Sequence, residues 1–289
     1  MQRIRDLYHG SSPVWTFEVY PPKSDAGLEP LYAVVDAFRR YDPGFISITY
    51  GAGGGTRDLS LRIAADVIDR FALPVTAHLT CVGSTVDQLR SWLGEAKRLG
   101  VANIMALRGD PPSGQMSFSA VEGGLRYAID LVRLLKSEFP EFGIGVAGYP
   151  ETHQEALSPE EDLRHLHAKV SSGGDAVYTQ LFYDNDDFFN FRDRCDVLGV
   201  ERPIVPGLLP VLSLAQVRRI TSLCKSCLPK KLLADLEQNK EDADAQISIG
   251  VDHCRRQVEG LLAAGVPGIH FYVLNRSDTI IRILDGIAG

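Results

Sequence analysis

Glu18 stands near the end of the apolar run Val14–Tyr20, with the aromatic residues Phe17 and Tyr20 within two positions of it. A carboxyl held among such groups loses hydration as the anion, so its pKa tends to rise. One that stays protonated near neutral pH is suited to general-acid chemistry. Other polar side chains close similar runs: His78 in Val75–Cys81, Arg108-Gly-Asp110 after Asn103, Gln180 in Ala176–Phe182, Thr49 in Phe45–Tyr50, and Tyr149 in Gly143–Tyr149. Taken singly, His78 and Gln180 also read as satisfied structural groups, and Arg108 with Asp110 as a plain ion pair. Glu18 is the hardest of them to explain by structure alone.

The elements that must position these side chains are short β-rich runs alternating with amphipathic stretches. To the runs above, Ile204–Leu208 and Gly268–Leu274 add two more, giving eight. Between them apolar residues recur every three or four positions, as in Leu31, Val34, Val35 and Phe38, the period of one helix face. Thr85-Val-Asp-Gln88 and Ser158-Pro-Glu-Glu161 read as capping boxes, the second with proline at the first helical position. Strand–helix alternation implies a parallel sheet, and eight units predict closure as a (β/α)8 barrel; an open doubly wound sheet is the alternative. Side-chain parity then puts Thr16, Glu18, Tyr20 and Thr76, His78, Thr80 on lumen faces, and groups Tyr178, Gln180 and Phe182. In such a barrel the polar run ends gather at the C-terminal mouth.

The 289 residues predict one domain, 1–289, with a helical insertion around 228–246 between the last two strands. A net charge of −7 argues against nucleic-acid or anionic-membrane partners. The N-terminus lacks a signal-like apolar core and no apolar run is long enough to span a bilayer, so a cytoplasmic protein is expected. The five cysteines are scattered; Cys224 and Cys227 form a lone CxxC without a second pair, and no metal site is expected.

Several chemistries fit poorly. Gly143-Ile-Gly-Val-Ala-Gly148 satisfies GxGxxG but lies inside a strand, where glycines signal a close approach instead of a dinucleotide turn. Lys23, beyond two prolines, is a poor Schiff-base lysine. The ends of strands seven and eight lack the glycines of a phosphate cup. Gly51–Arg57 is the one glycine-rich loop, read equally as a ligand-approaching or a plain loop.

Read together, the run ends resemble the methylenetetrahydrofolate reductase family. The motifs are Thr16-Phe-Glu-Val-Tyr-Pro-Pro22, Phe45-Ile-Ser-Ile-Thr-Tyr-Gly-Ala52, Ala77-His-Leu-Thr-Cys81, Ala106-Leu-Arg-Gly-Asp110, Gly148-Tyr-Pro-Glu-Thr-His153, Thr179-Gln-Leu-Phe182, Pro206-Gly-Leu-Leu-Pro210 and His270-Phe-Tyr-Val-Leu-Asn-Arg276. They occur in order over almost the whole chain. The resemblance implies a (β/α)8 barrel holding FAD, which takes a hydride from NADH or NADPH and passes it to methylenetetrahydrofolate. It implies Glu18 as the acid that helps open the methylene bridge, and Asp110 as a group shared by flavin and pterin. Gln180, Gln216 and Arg276 match folate-site positions. Thr49, His78, Arg108, Gly109, Tyr127, Ala128, Tyr149, His153 and Ala156 match positions that hold FAD. Asp162, His165 and Lys169 join that set, and their spacing puts them on one face of a helix. A homo-oligomer is expected.

Two departures stand out. Ile220 replaces a phenylalanine that packs against folate and nicotinamide in bacterial relatives, and His165 and Ala168 replace an asparagine and an arginine. The chain also stops after the barrel, so inhibition by S-adenosylmethionine is not expected. Two other readings remain: a different flavin barrel, of the proline dehydrogenase type, and a non-catalytic barrel that senses folate or flavin.

Overall fold

The computed structural model describes residues 2–10, 12–49, 57–111 and 118–287. A short helix α1 (Ile4–Leu7) precedes strand β1 (Val14–Val19). Strand and helix then alternate: α2 (Leu28–Phe38), β2 (Phe45–Ile48), α3 (Arg57–Phe71), β3 (Val75–Thr80), α4 (Val86–Arg98), β4 (Asn103–Leu107), α5 (Ala128–Glu138) and β5 (Gly143–Gly148). The second half continues with α6 (Pro159–Ser171), β6 (Ala176–Thr179), α7 (Asn185–Leu198), β7 (Ile204–Val205), β8 (Gly207–Leu208), α8 (Leu214–Cys224), α9 (Lys230–Gln238), α10 (Ala243–Ala263), β9 (Gly268–Tyr272) and α11 (Asp278–Asp285).

All strand pairs are parallel, in the order β7-β6-β5-β4-β3-β2-β1-β9-β8. This is the expected barrel of parallel strands, with one difference. The run Ile204–Leu208 is two short strands, because Pro206 interrupts it and cannot donate to a ladder. Its first half pairs with β6 and its second with β9, and the Pro206 carbonyl between them accepts from His270 N–H at 2.9 Å. The break itself closes the ring.

Outward side chains form one layer with the helices. Phe17 stacks on Phe38 of α2 with centroids 4.1 Å apart, and Val19, Ile46, Ile48, Ala77, Leu79, Ile104 and Val146 extend the same cluster. Full burial of each such residue contributes roughly 1.5–3 kcal/mol. The N-terminal end of the barrel is plugged by α1. Ile4 and Leu7 pack with Phe45, Met105, Tyr178 and Val205, and Ile4 N–H donates to Asn103 Oδ1 at 2.7 Å.

The glycines of β5 do lie within a strand, as the sequence predicts. A Cβ on Gly145 would come 3.0 Å from Met105 and 3.1 Å from Tyr178, so the glycine admits both into the lumen. The first capping box forms in full: Gln88 N–H donates to Thr85 Oγ1 and Thr85 N–H to Gln88 Oε1. The second forms by half, since Glu161 accepts from Leu157 N–H and not from Ser158. Over 228–246 the chain forms α9, a turn, and the start of α10, which Asp242 caps. Tyr50 and 51–56 of the glycine-rich loop lie outside the described residues.

Candidate active site

Because the ladders are in parallel register, inward side chains of neighbouring strands stand at one level. Glu18 pairs with Ser47 on β2 and Tyr272 on β9, and Thr16 pairs with His270. Glu18 Oε2 lies 3.2 Å from His78 Nε2 and 3.3 Å from His270 Nε2. His78 Nε2 is also 2.9 Å from Ser47 Oγ, and His270 Nδ1 is 2.8 Å from Thr16 Oγ1. Thr16, Ser47 and His270 are buried, whereas Glu18 and His78 keep partial access to the mouth.

This arrangement corrects the protonation expected for Glu18. Burial pushes its carboxyl up, as the aromatic neighbours suggest, but the charge and hydrogen bonds of His78 and His270 outweigh that and bring its pKa down to about 2. The carboxyl is ionised in this arrangement. Sequence spacing revealed the desolvation and not the two imidazoles.

A second group assembles beside it, from the ends of β4 and β5 and from α6. Arg108 Nη2 donates to Glu155 Oε1 at 2.7 Å, and this hydrogen bond raises the guanidinium pKa further. The His153 ring packs edge-on to Tyr149 at 4.6 Å and accepts at Nδ1 from Glu155 N–H, while the His153 backbone N–H donates to Asp162 Oδ2 at 2.9 Å. Lys169 Nζ donates to the Ala147 carbonyl at 2.6 Å and lies 5.9 Å from the Tyr149 ring. Burial pushes this ammonium down to about 8 against the pull of Asp162, and it also lowers His153. Asp162 and Lys169 thus reach the same cluster from α6. His165 does not join them: it is exposed on the flank of the helix.

The other expected positions lie just beyond strand ends or at helix starts. Gly109 takes φ +88°, where a Cβ would also fall 2.8 Å from Val82, and Asp110 follows it, exposed. Thr49 is half-buried after β2, with its N–H on the Val19 carbonyl. Tyr127 and Ala128 open α5, where Tyr127 N–H donates to Asp130. Ala156 N–H donates to the His153 carbonyl.

Gln180 directly follows β6, Gln216 lies in the first turn of α8, and Arg276 follows β9. Gln180 N–H forms the last rung to Gly148, and its Oε1 accepts from Leu181 N–H. There the chain leaves the sheet, so Phe182 does not share the lumen face of Tyr178 but stacks outward on Phe188 at 5.5 Å. Gln216 Oε1 accepts from Leu212 N–H at 2.8 Å, while its Nε2 is buried with no hydrogen-bond partner among the described residues. Arg276 bonds Asp278 and lines a pocket with Leu209, Leu212 and Tyr272. Ile220 packs against the cluster of Leu181, Tyr183 and Val217.

Sequence reasoning left Ser47, Thr16, His270 and Tyr272 without a role. The parity of β9 could have found the last two, since both share the lumen face that Glu18 occupies on β1. Glu155 had no such signal, because it sits in a loop with no period. The CxxC segment is a tie between loops: Cys227 N–H donates to Glu151 and Ser226 Oγ to the Leu181 carbonyl.

A family model described as methylenetetrahydrofolate reductase matches residues 3–288. The chain is 36% identical over 294 residues to methylenetetrahydrofolate reductase (NADH) 1 of Arabidopsis thaliana, covering 98% of this chain and 50% of the relative. The chain therefore spans about half the length of the plant relatives it matches. It is also 36% identical over 263 residues to 5,10-methylenetetrahydrofolate reductase of Escherichia coli K12, covering 91% of this chain and 86% of that one. Among solved structures, an uncharacterized protein from Clostridium thermocellum that binds two copies of 5-methyl-5,6,7,8-tetrahydrofolic acid superposes with a TM-score of 0.64 at 16% identity, covering 95% of this chain and 94% of the other. That likeness concerns the fold alone.

Proposed function

This chain belongs to the methylenetetrahydrofolate reductase family, and from that premise we propose that it reduces 5,10-methylenetetrahydrofolate to 5-methyltetrahydrofolate, with FAD as resident cofactor and NADH or NADPH as hydride donor. The observation that carries the reading is the Glu18 carboxyl, set in the barrel mouth with one oxygen held by two imidazoles.

The residues around the mouth fit a flavin dinucleotide. Arg108, Lys169 and the N-terminus of α5 at Tyr127 and Ala128 offer positive potential to a diphosphate. Asp162, His153 and Ala156 surround those cations, Thr49, His78 and Tyr149 face the mouth, and Gly109 permits close backbone approach. When bound, FAD supplies the hydride-carrying chemistry. His165 is the weakest member of this set, because it is exposed.

The protein's own part is to hold the folate and to move a proton. Gln180, Gln216 and Arg276 present amide and guanidinium donors to it, with Asp110 opposite. Glu18 gives its proton to N10 of the substrate as the methylene carbon–N10 bond opens, which leaves a reactive iminium at N5 for hydride. For this the carboxylate must first take up a proton, and its pKa must rise. Covering the mouth with ligands adds to the desolvation that already pushes it up. A ligand that takes up the His78 N–H removes one of the two groups that hold it down.

The visible spectrum tests the proposal. Purified protein is expected to be yellow, to bleach anaerobically with reduced nicotinamide, and to recover its colour with methylenetetrahydrofolate. A colourless, inactive protein overturns it, and bleaching without recovery points to a different flavin barrel.

A further inference from the structure

We propose that Asn275 is a positioning residue: its side-chain amide replaces the last rung between the first and last strands and thereby aims Arg276 at the substrate. This rests on the reading of Arg276 as a folate-binding group. Glu18 is opposite Tyr272 in the β1–β9 ladder, and Val273 N–H donates to the Glu18 carbonyl at 3.3 Å. Continued in parallel register, the ladder would next bond Tyr20 N–H to the Val273 carbonyl. That carbonyl is taken instead by Arg276 N–H at 2.9 Å, which closes a turn over Val273–Arg276.

Asn275 answers both backbone groups that this turn leaves behind. Its Oδ1 accepts from Tyr20 N–H at 3.0 Å, and its Nδ2 donates to the Tyr20 carbonyl at 2.8 Å. A side-chain amide carries a donor and an acceptor as a peptide unit does, so it continues a ladder that the main chain has left. The two central residues of the turn, Leu274 and Asn275, have φ +48° and +54°. Positive φ at both marks a type I′ turn, a conformation that asparagine accepts and leucine resists. Leu274 stays in it because its neighbour is clamped to the opposite strand. Strain of this kind persists where the surroundings over-determine it, and it collects at ligand sites.

What the turn delivers is Arg276. The turn behind it sets the direction of its backbone, and ahead of it the guanidinium meets Asp278, the first residue of α11, with Nη2 3.2 Å from Oδ2. Held between the two, the side chain lines a pocket with Leu209, Leu212 and Tyr272. Tyr272 is the strand partner of Glu18, so the pocket and the carboxyl belong to one stretch of the β1–β9 seam. Without the clamp the left-handed residues are free to relax, and the Arg276 side chain swings with them. Both clamp bonds lie at an exposed rim, so they govern geometry there more than the stability of the barrel.

The test compares Asn275→Gly with Asn275→Ala. Glycine takes the left-handed conformation without strain, so it removes the clamp alone, whereas alanine removes the clamp and adds strain. In both, affinity for 5-methyltetrahydrofolate by titration calorimetry is expected to fall about fivefold or more, with the folate KM rising in step. The kcat at saturating folate and flavin reduction by nicotinamide are expected to hold. With Arg276→Met already in place, Asn275→Gly is expected to add little, because the two act as one unit. Wild-type affinity in the glycine variant overturns the proposal, since the turn conformation alone would then suffice. So does a full further loss in the Arg276→Met background, or a lowered kcat with affinity unchanged. In the unmutated protein, amide exchange by NMR is expected to show Tyr20 N–H protected like the rungs of β1, and a freely exchanging Tyr20 overturns the clamp itself. If the wild-type protein binds no folate, the functional reading fails, and the Tyr20 exchange still decides whether Asn275 holds the seam.

Discussion

Glu18 and His270 meet diagonally across the seam between the first and last strands. In the ladder Glu18 is opposite Tyr272 and His270 is opposite Thr16, yet Glu18 Oε2 and His270 Nε2 are 3.3 Å apart. Both side chains lean along their strands towards one level of the lumen, and His78 reaches the same oxygen from β3. A carboxyl shared by two rings in this way is held in place before any ligand arrives, which is what a proton donor working on one substrate bond requires.

From this relationship Glu18→Gln is expected to leave flavin reduction by reduced nicotinamide intact and to slow folate reduction by about 10²–10⁴-fold, the usual range for loss of a general acid. Stopped-flow measurement of the two half-reactions separates them. Equal survival of both would remove Glu18 from the mechanism.

How far this site could be read in the sequence depends on which contacts are local. Strand periodicity and parity gave the barrel and put Thr16, Glu18 and His78 on the lumen face, because alternation is a property of each strand alone. The break at Pro206 was visible as a residue and not as a topology, since pairing of its two halves with different neighbours depends on the closed ring. The Glu18 pKa is hidden from the sequence for a related reason. Its desolvation follows from adjacent residues, whereas His78 and His270 are 60 and 252 positions away and come together only through register. Of the helix face expected to share a ligand, Asp162 and Lys169 reach one cluster with His153 and Tyr149, whereas His165, at the edge of that face, turns to solvent.

Gln216 offers a test on the substrate side. Its buried Nε2 has no partner among the described residues, and an unanswered buried donor costs about 1–3 kcal/mol. A ligand acceptor that meets it recovers that penalty. Gln216→Leu is therefore expected to weaken folate affinity by roughly tenfold or more with little effect on flavin reduction, as titration calorimetry with methyltetrahydrofolate can measure. An unchanged affinity would place the folate elsewhere.

Gly250, inside α10, bears on how the mouth is supported. A Cβ there would fall 1.9 Å from the Val211 carbonyl oxygen, and that backbone leads directly into Leu212 and the start of α8, where Gln216 sits. Since the obstacle is main chain, Gly250→Ala must push α10 away from the mouth. The expected loss is about 1–3 kcal/mol of stability, together with weaker folate binding, read by denaturant unfolding and by KM. An alanine variant of wild-type stability would show that the two segments are not tightly packed.

Lys169 makes the pH dependence of cofactor binding predictable in sign. Burial lowers its pKa to about 8, below the usual lysine value, so its charge is present at neutral pH and is lost as pH rises through about 8. A bound diphosphate stabilises the ammonium and raises that pKa, so flavin binding takes up a proton wherever free Lys169 is neutral. Affinity for FAD is then expected to be flat below about pH 7.5 and to fall with rising pH above about 8, towards tenfold per unit. Lys169→Met should bind FAD more weakly at pH 7 and should lose the alkaline decline. Fluorescence titration of apoprotein across roughly pH 6.5–9.5, a range that brackets the lysine's pKa of about 8, measures both. If the variant keeps the wild-type slope, another group carries the proton and Lys169 lies outside the diphosphate's reach; Arg108 is not that group, because its hydrogen bond to Glu155 moves its pKa upward, away from this range.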